Sequence, residues 1–557
     1  MGIELLGVAV FILALFAVFD LIVGVSNDAV NFLNSAIGSK VASRRVILMV
    51  ASLGILAGVL FSSGMMEVAR KGIFHPEFFT MPQLITLFLA VMFTDVILLD
   101  FFSSNGMPTS TTVSVVFELL GAAVAVSTIS ILHQNGNLSL LADYINTSKA
   151  LLIIFGILLS VIVAFLAGAL AQFLSRLLFT FDFAKRLPRY GALWGGIAMA
   201  FITYFVLVKG AKGAAFITPE MLAWIKSHTL EIIGGIGLVS AVILQILMFL
   251  KVNILRPIIL IGTFSLAMAF AANDLVNFIG VPMAGFHAYK SAIATDNPLT
   301  ATMEALSQKV PAETGLLLLA GLIMIVTLWF SKKARTVTKT EVDLSRQEEG
   351  EERFESVFLA RFIVKTFINF MQGIRMIIPR PILNWFAKRM DTSAFENHHH
   401  ADDKDAPSFD LIRAGVNLMV ASAVISYATS HKLPLSTTYV TFMVAMGTSF
   451  ADLAWGRESA VYRVTGVLTV IGGWFMTAMV AFTVAALFAV FIYYTQAFGI
   501  AVLMVIVVWA IYKNHQRHKD LTTTIEEPEI YNLRKIKDVN EALSTTSHQT
   551  AVLIFVS

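Results

Sequence analysis

The sequence predicts an all-α polytopic membrane protein built as two repeats, with roughly 12 transmembrane segments. Three observations carry that reading: an apolar composition, apolar runs of about 20 residues recurring from end to end, and two pairs of polar motifs set in the same order in both halves. Of 557 residues, 57% are hydrophobic and only 14% are charged, and the mean hydropathy is +0.78. A soluble core of this length could not bury so much apolar surface.

Runs of this length suit a hydrocarbon core roughly 30 Å thick. They predict helices over 3–23, 46–66, 84–102, 112–132, 151–179, 191–208, 232–250, 258–270, 316–330, 411–427, 438–450, 464–491 and 499–512. The first run follows Met1, Gly2, Ile3 and Glu4 without a basic flank, so it reads as a retained helix and not a cleaved leader. No cysteine is present, which excludes disulfides and thiolate metal sites. A net charge of +3 gives no reason to expect a nucleic-acid partner. Basic residues gather at 40–45, 185–189, 331–335 and 513–519, as cytoplasmic ends do.

The motifs come in pairs. Residues 26–34 read SNDAVNFLN and residues 272–280 read ANDLVNFIG; residues 107–115 read MPTSTTVSV and residues 433–441 read LPLSTTYVT. Asp28 and Pro108 are 80 positions apart, whereas Asp274 and Pro434 are 160 apart. The surplus falls in 331–409, a polar stretch of 79 residues, and removing it restores the spacing of the first half. Paired motifs with matched spacing mark a duplicated unit. Duplicated units that carry helix-breaking polar motifs are typical of secondary transporters, whose binding site lies near mid-membrane between the repeats.

Each motif suits a different ion. Pro108 and Pro434 stand just before Ser-Thr-Thr runs that lead into apolar helices, a helix-start signal in which Pro lacks the orphaned N–H and Ser or Thr caps it. Helix N-termini inside each half would attract an anion, with Ser110, Thr111, Thr112, Ser436, Thr437 and Thr438 adding hydroxyl donors. The same residues also suit plain capping or back-bonding to carbonyls. Asp28 and Asp274 lie in apolar helices with no Lys or Arg within a turn, and an unpaired carboxylate there costs a few kcal/mol or more, roughly. A hard cation held by carboxylate and amide oxygens would satisfy them, with Asn27 and Asn31, and Asn273 and Asn277, four apart on one helix face. Two bare carboxylates would repel a nearby anion by roughly 4 kcal/mol per charge pair at about 4 Å and an effective dielectric near 20. A bound cation reverses that sign, so each ligand raises the other's affinity.

On these motifs the sequence resembles the inorganic phosphate transporter (PiT) family, which carries duplicated G-A-N-D-x-A-N and P-V-S-T-T-H motifs. Here they read GVSNDAVN, FAANDLVN, GMPTSTTV and KLPLSTTY. The resemblance covers both halves of the membrane region except the insert. It implies two inverted-topology repeats with re-entrant helical hairpins, and import of inorganic phosphate by cation symport with alternating access. Na⁺ is the favoured coupling ion, with H⁺ coupling or a sulfate or other oxyanion permease as alternatives; a channel fits the paired motifs less well. Carried over by position, Ser110, Thr111, Thr112, Ser436, Thr437, Thr438, Asn27 and Asn273 would contact phosphate, and Asp28, Asp274, Asn31 and Asn277 would hold Na⁺. The chain departs from the family at Val113 and Tyr439, where His is usual, and losing two imidazoles favours Na⁺ over H⁺.

The resulting division is 1–150 for the first repeat, 151–250 for connecting helices, 251–330 and 410–512 for the second repeat, 331–409 for the insert and 513–557 for a polar tail. The insert reads as a solvated linker with an amphipathic interfacial helix around Arg361, Lys365, Arg375, Arg380 and Arg389. HHHADDKD at 398–405 reads as a loop. The tail is too short for a core of its own, and TAVLIFVS looks like an abrupt stop where some bacterial relatives resemble fusions with a PhoU-like regulatory domain. Asp95, Asp100 and Glu118 line the pathway or make structural bonds, and Arg463 pairs with Glu458. No phosphate-binding loop of the G-x-x-x-x-G-K-[ST] kind is present, which weighs against an ATP-driven pump or an enzyme, and no cofactor is expected beyond the coupling ion. The expected partners are phosphate, Na⁺ or H⁺, the lipid bilayer and a second copy in a homodimer; the expected location is a bacterial inner membrane.

Overall fold

The computed structural model describes residues 2–60, 72–134, 136–213, 218–303, 314–347, 357–393, 406–430, 435–454 and 459–526. The first half comprises α1 (Ile3–Asp28), α2 (Val30–Gly38), α3 (Arg44–Leu60), α4 (Met81–Ser104), α5 (Thr111–His133) and α6 (Thr147–Phe179). Three connecting helices follow: α7 (Leu187–Gly213), α8 (Pro219–Ser227) and α9 (Thr229–Phe249). The second half begins with α10 (Leu255–Ile293), α11 (Thr314–Phe330) and α12 (Lys332–Ser345). After α13 (Phe358–Ile377) and α14 (Arg380–Arg389) it resumes with α15 (Leu411–Ser430), α16 (Thr437–Ala451), α17 (Ser459–Thr495) and α18 (Ala497–Glu526).

Every predicted apolar run is helical where described. Among the described residues ten helices are long and apolar enough to cross a membrane, and α11 with α12, bent by 68°, make an eleventh if the pair counts as one span. The protein is an integral membrane protein. The count falls below the expected 12 partly because α16 has only 15 residues, about 22 Å of helix, too short to span alone. α4, α5, α10 and α15 form the buried core, while α6, α9, α17 and α18 turn most of their apolar surface outward, as helices facing lipid do.

The two halves are interlocked. Each Ser-Thr-Thr helix packs along the long helix that follows the other copy, α5 on α17 and α16 on α6. The acidic helices cross in the same sense, α10 packing on α3 and α1 on α11. Glycine makes the first crossing possible. Gly121 and Gly447 stand at the same distance after Ser110 and Ser436, and a Cβ on either would lie 2.1 Å from the Phe482 carbonyl oxygen or 2.2 Å from that of Phe165. Lipid offers no hydrophobic drive for helix pairing, so close backbone approach at small residues supplies the packing.

One part of the insert departs from the linker expectation. α12 is polar overall, yet it is buried beneath the first acidic motif, with Ala334, Val337, Thr338, Glu341, Val342 and Ser345 on its inward face. Its polar groups find partners there: Ser331 shares a hydrogen bond with Ser26 (2.7 Å), Asn34 donates to Glu341, and Lys333 pairs with Asp100. Farther along, α13 exposes Phe358, Phe362, Met376 and Ile377, and α14 exposes Ile382 and Trp385. Close to α12, Arg176 bridges Asp410 (2.7 Å) and Asp452 (2.6 Å), Arg413 also binds Asp452 (2.8 Å), and Gln347 donates to the Asp452 carbonyl (3.1 Å). Arg463 donates to the carbonyls of Arg346 and Ala454. Glu458, Pro434, residues 398–405 and the tail beyond Glu526 lie outside the described residues, and α18 carries the last helix past residue 513.

Gly447→Leu is expected to lower the melting temperature in detergent by several degrees, because the α6–α16 contact must open. Gly472→Leu, whose Cβ would meet nothing within 4 Å, is expected to leave it within about a degree, as open-surface changes do.

Candidate functional site

The two Ser-Thr-Thr motifs begin two helices that meet at their N-termini. Ser110 is the N-cap of α5 and accepts from the Val113 amide (3.2 Å); Ser436 is the N-cap of α16 and accepts from the Tyr439 amide (3.3 Å). The two caps touch, Ser436 donating to Ser110 at 2.7 Å. Capping satisfies the third amide of each helix, which leaves the amides of Thr111, Thr112, Thr437 and Thr438 as the unspent first-turn donors. Two positive helix ends thus face one buried point.

The acidic motifs meet that positive field. Asp28 accepts from Thr111 (2.9 Å) of its own half and Thr438 (3.1 Å) of the other. Asp274 does the same in reverse, accepting from Thr437 (2.7 Å) and Thr112 (3.4 Å). The asparagines one turn on follow suit: Asn31 donates to Thr438 (3.0 Å) and Asn277 to Thr112 (3.0 Å). Sequence positions hundreds of residues apart therefore converge, with the same pattern of bonds on both sides. Asp28 has no solvent exposure and Asp274 almost none, while Thr112 and Asn273 are only partly buried.

Asn27 bonds the turn that precedes α5. Its side chain donates to Ser103 (3.2 Å) and to the Met107 carbonyl (3.0 Å) and accepts from the Thr109 amide (2.8 Å), so it clamps the turn that aims α5. That turn needs Gly106, at φ 63°. From the far side α17 braces it: Trp474 donates to the Pro108 carbonyl (3.2 Å) and Thr477 bonds Thr109 (2.9 Å). Tyr439, in the position where His was expected, stacks on Trp474 with ring centres 3.8 Å apart. Residue type alone could not reveal this, because nothing near Trp474 or Thr477 repeats a motif.

A second polar group occurs in the first half only. Asp20 on α1, Asp95 on α4 and Glu118 on α5 are all fully buried. Ser114 donates to Glu118 (2.7 Å). Asp20 and Asp95 lie close to each other, on helices packed side by side. The corresponding positions of the second copy, Leu266, Ala421 and Val444, are apolar. Among the described residues no cluster of three His, Asp or Glu side chains has metal-cage geometry. Asp100 lies elsewhere, bonded to Lys333 and to Asn514 (3.0 Å) at the basic end.

The sequence pattern of the phosphate transporter family (PHO4) matches residues 24–340. That span holds both acidic motifs and the first Ser-Thr-Thr run. A protein of Thermococcus kodakarensis named "Putative phosphate permease" is 25% identical over 311 residues, covering 53% of this chain and 68% of that one. One of the same name from Pyrococcus furiosus is 23% identical over 312 residues, covering 53% and 67%. A solved structure titled "The sodium-dependent phosphate transporter" shares the fold, with a TM-score of 0.57 and 16% identity over 88% of this chain and all of that one.

Ser110→Ala and Ser436→Ala each remove a cap, worth about 1 kcal/mol, and both break the same Ser–Ser bond. Their melting-temperature losses are expected to be less than additive in the double variant, a coupling that a double-mutant cycle measures directly.

Proposed function

The chain belongs to the phosphate transporter family, and we propose that it imports inorganic phosphate by symport with Na⁺ through alternating access, across the plasma membrane with its basic end in the cytoplasm. The observation that carries this reading is the shared set of hydroxyls: Thr111, Thr112, Thr437 and Thr438 donate to Asp28 and Asp274 at the meeting point of two helix N-termini. An anion seated there would take the first-turn amides and these hydroxyls. Two carboxylates so close to it oppose its entry unless cations neutralise them. Na⁺ on Asp28 and Asp274, with Asn31 and Asn277 turning their amide oxygens toward it, makes the helix ends a net positive cradle. Phosphate in the cradle then holds the cations, and neither ligand crosses alone. Asn27, engaged with the 103–109 turn, acts as a positioning residue; Asn273 is its counterpart beside Asp274.

Proton coupling is the second reading, and the Asp20–Asp95–Glu118 group favours it, since three fully buried carboxyls gather in one half only. The two readings separate in one assay. Protein in liposomes is expected to accumulate radiolabelled phosphate when an inward Na⁺ gradient is imposed and not with a pH gradient alone, with excess sulfate failing to compete. Asp28→Asn and Asp274→Asn are each expected to reduce uptake at least a hundredfold, whereas Glu118→Gln keeps Na⁺-driven uptake. Uptake driven by protons and lost in Glu118→Gln would overturn Na⁺ in favour of H⁺.

A further inference from the structure

We infer that the basic end of the protein carries a second anion site, away from the transport motifs, built for the headgroup phosphate of an anionic phospholipid. A cavity of about 590 Å³ opens between α2, α3 and the α11–α12 bend. Lys40, Arg44, Arg335 and Lys339 line it against one carboxylate, Asp343. Three buried or half-buried cations near this end are matched, Lys333 by Asp100 and Arg176 and Arg413 by Asp452. Arg44, Arg335 and Lys339 make no ion pair among the described residues. Converging cations left uncompensated on a cavity repel one another unless an anion enters.

The remaining lining selects the kind of anion. Leu33, Ile37, Ile47 and Leu328 give the cavity an aliphatic wall, which a free hydrated ion would not use. The cavity also sits where the chain passes from the apolar α11 to the polar α12, the level of a membrane at which headgroups meet acyl chains. A phosphodiester among the cations with its glyceride on the aliphatic wall fits both surfaces, as in basic pockets between membrane helices that hold acidic lipids.

The position gives such a lipid a consequence. Arg335 and Lys339 belong to α12, while Lys40 and Arg44 belong to the α2–α3 turn. α12 covers the first acidic motif through Ser331–Ser26 and Glu341–Asn34. A headgroup bridging the two sets of cations clamps α12 onto α2 and favours the state in which this side is closed.

The test is lipid binding by the full, delipidated protein in detergent, followed by native mass spectrometry with phosphatidylglycerol and phosphatidylcholine. The wild type is expected to retain phosphatidylglycerol selectively. Arg335→Gln with Lys339→Gln, both exposed positions, is expected to weaken that binding roughly tenfold, and the charge-keeping pair Arg335→Lys with Lys339→Arg to preserve it. Equal retention of the two lipids, or binding unchanged in the Gln pair, overturns the site. Displacement of phosphatidylglycerol by millimolar inorganic phosphate overturns the lipid assignment and makes the pocket a site for the free anion. Because the readout is lipid retained and not transport, these outcomes stand whichever ion drives uptake.

Discussion

Two helix N-termini pointing at each other at a largely buried point create a positive potential that the protein must answer. The fold of this protein follows from the need to hold that arrangement and to answer it with charge. Asp28 and Asp274 supply the answer in the observed state, each tied to a threonine of both motifs. Removing either carboxylate leaves a helix start facing its twin; leaving both bare refuses an anion. Under the proposed function, a cation on the carboxylates lets the cradle accept an anion, and coupling follows from the arrangement itself.

Holding two helix starts in register asks for stiff supports, and these come from the opposite half. α17 braces the α5 turn through Trp474 and Thr477, and α6 runs along α16 with Gly447 against the Phe165 carbonyl. A rocking motion of one half therefore cannot move one motif without pulling on the other. At the basic end, α12 packs beside the first acidic motif, and the buried Arg176–Asp452–Arg413 network lies close to it.

Much of this was legible in the residues, because duplication exposes function twice. The paired Asn-Asp and Ser-Thr-Thr motifs named the residues that the fold brings together at one point. Three features were hidden. α12 reads as linker because its composition is polar, although the spacing of Ala334, Val337, Thr338, Glu341 and Val342 is that of one buried helix face. Asn27 reads as a ligand because it adjoins Asp28, yet its three bonds go to the 103–109 turn. The Asp20–Asp95–Glu118 group draws one residue from each of three helices, and its absence from the second copy removes the repetition that made the other motifs visible.

The central claim is that cations make the anion site, and reciprocal binding tests it most directly. Phosphate affinity of the purified protein should be measured by calorimetry across a Na⁺ series, and Na⁺ affinity across a phosphate series. The account predicts that each ligand tightens the other by the same factor, at least about fivefold, and that Asp28→Asn abolishes the effect. Phosphate affinity that is independent of Na⁺ and of pH would contradict it.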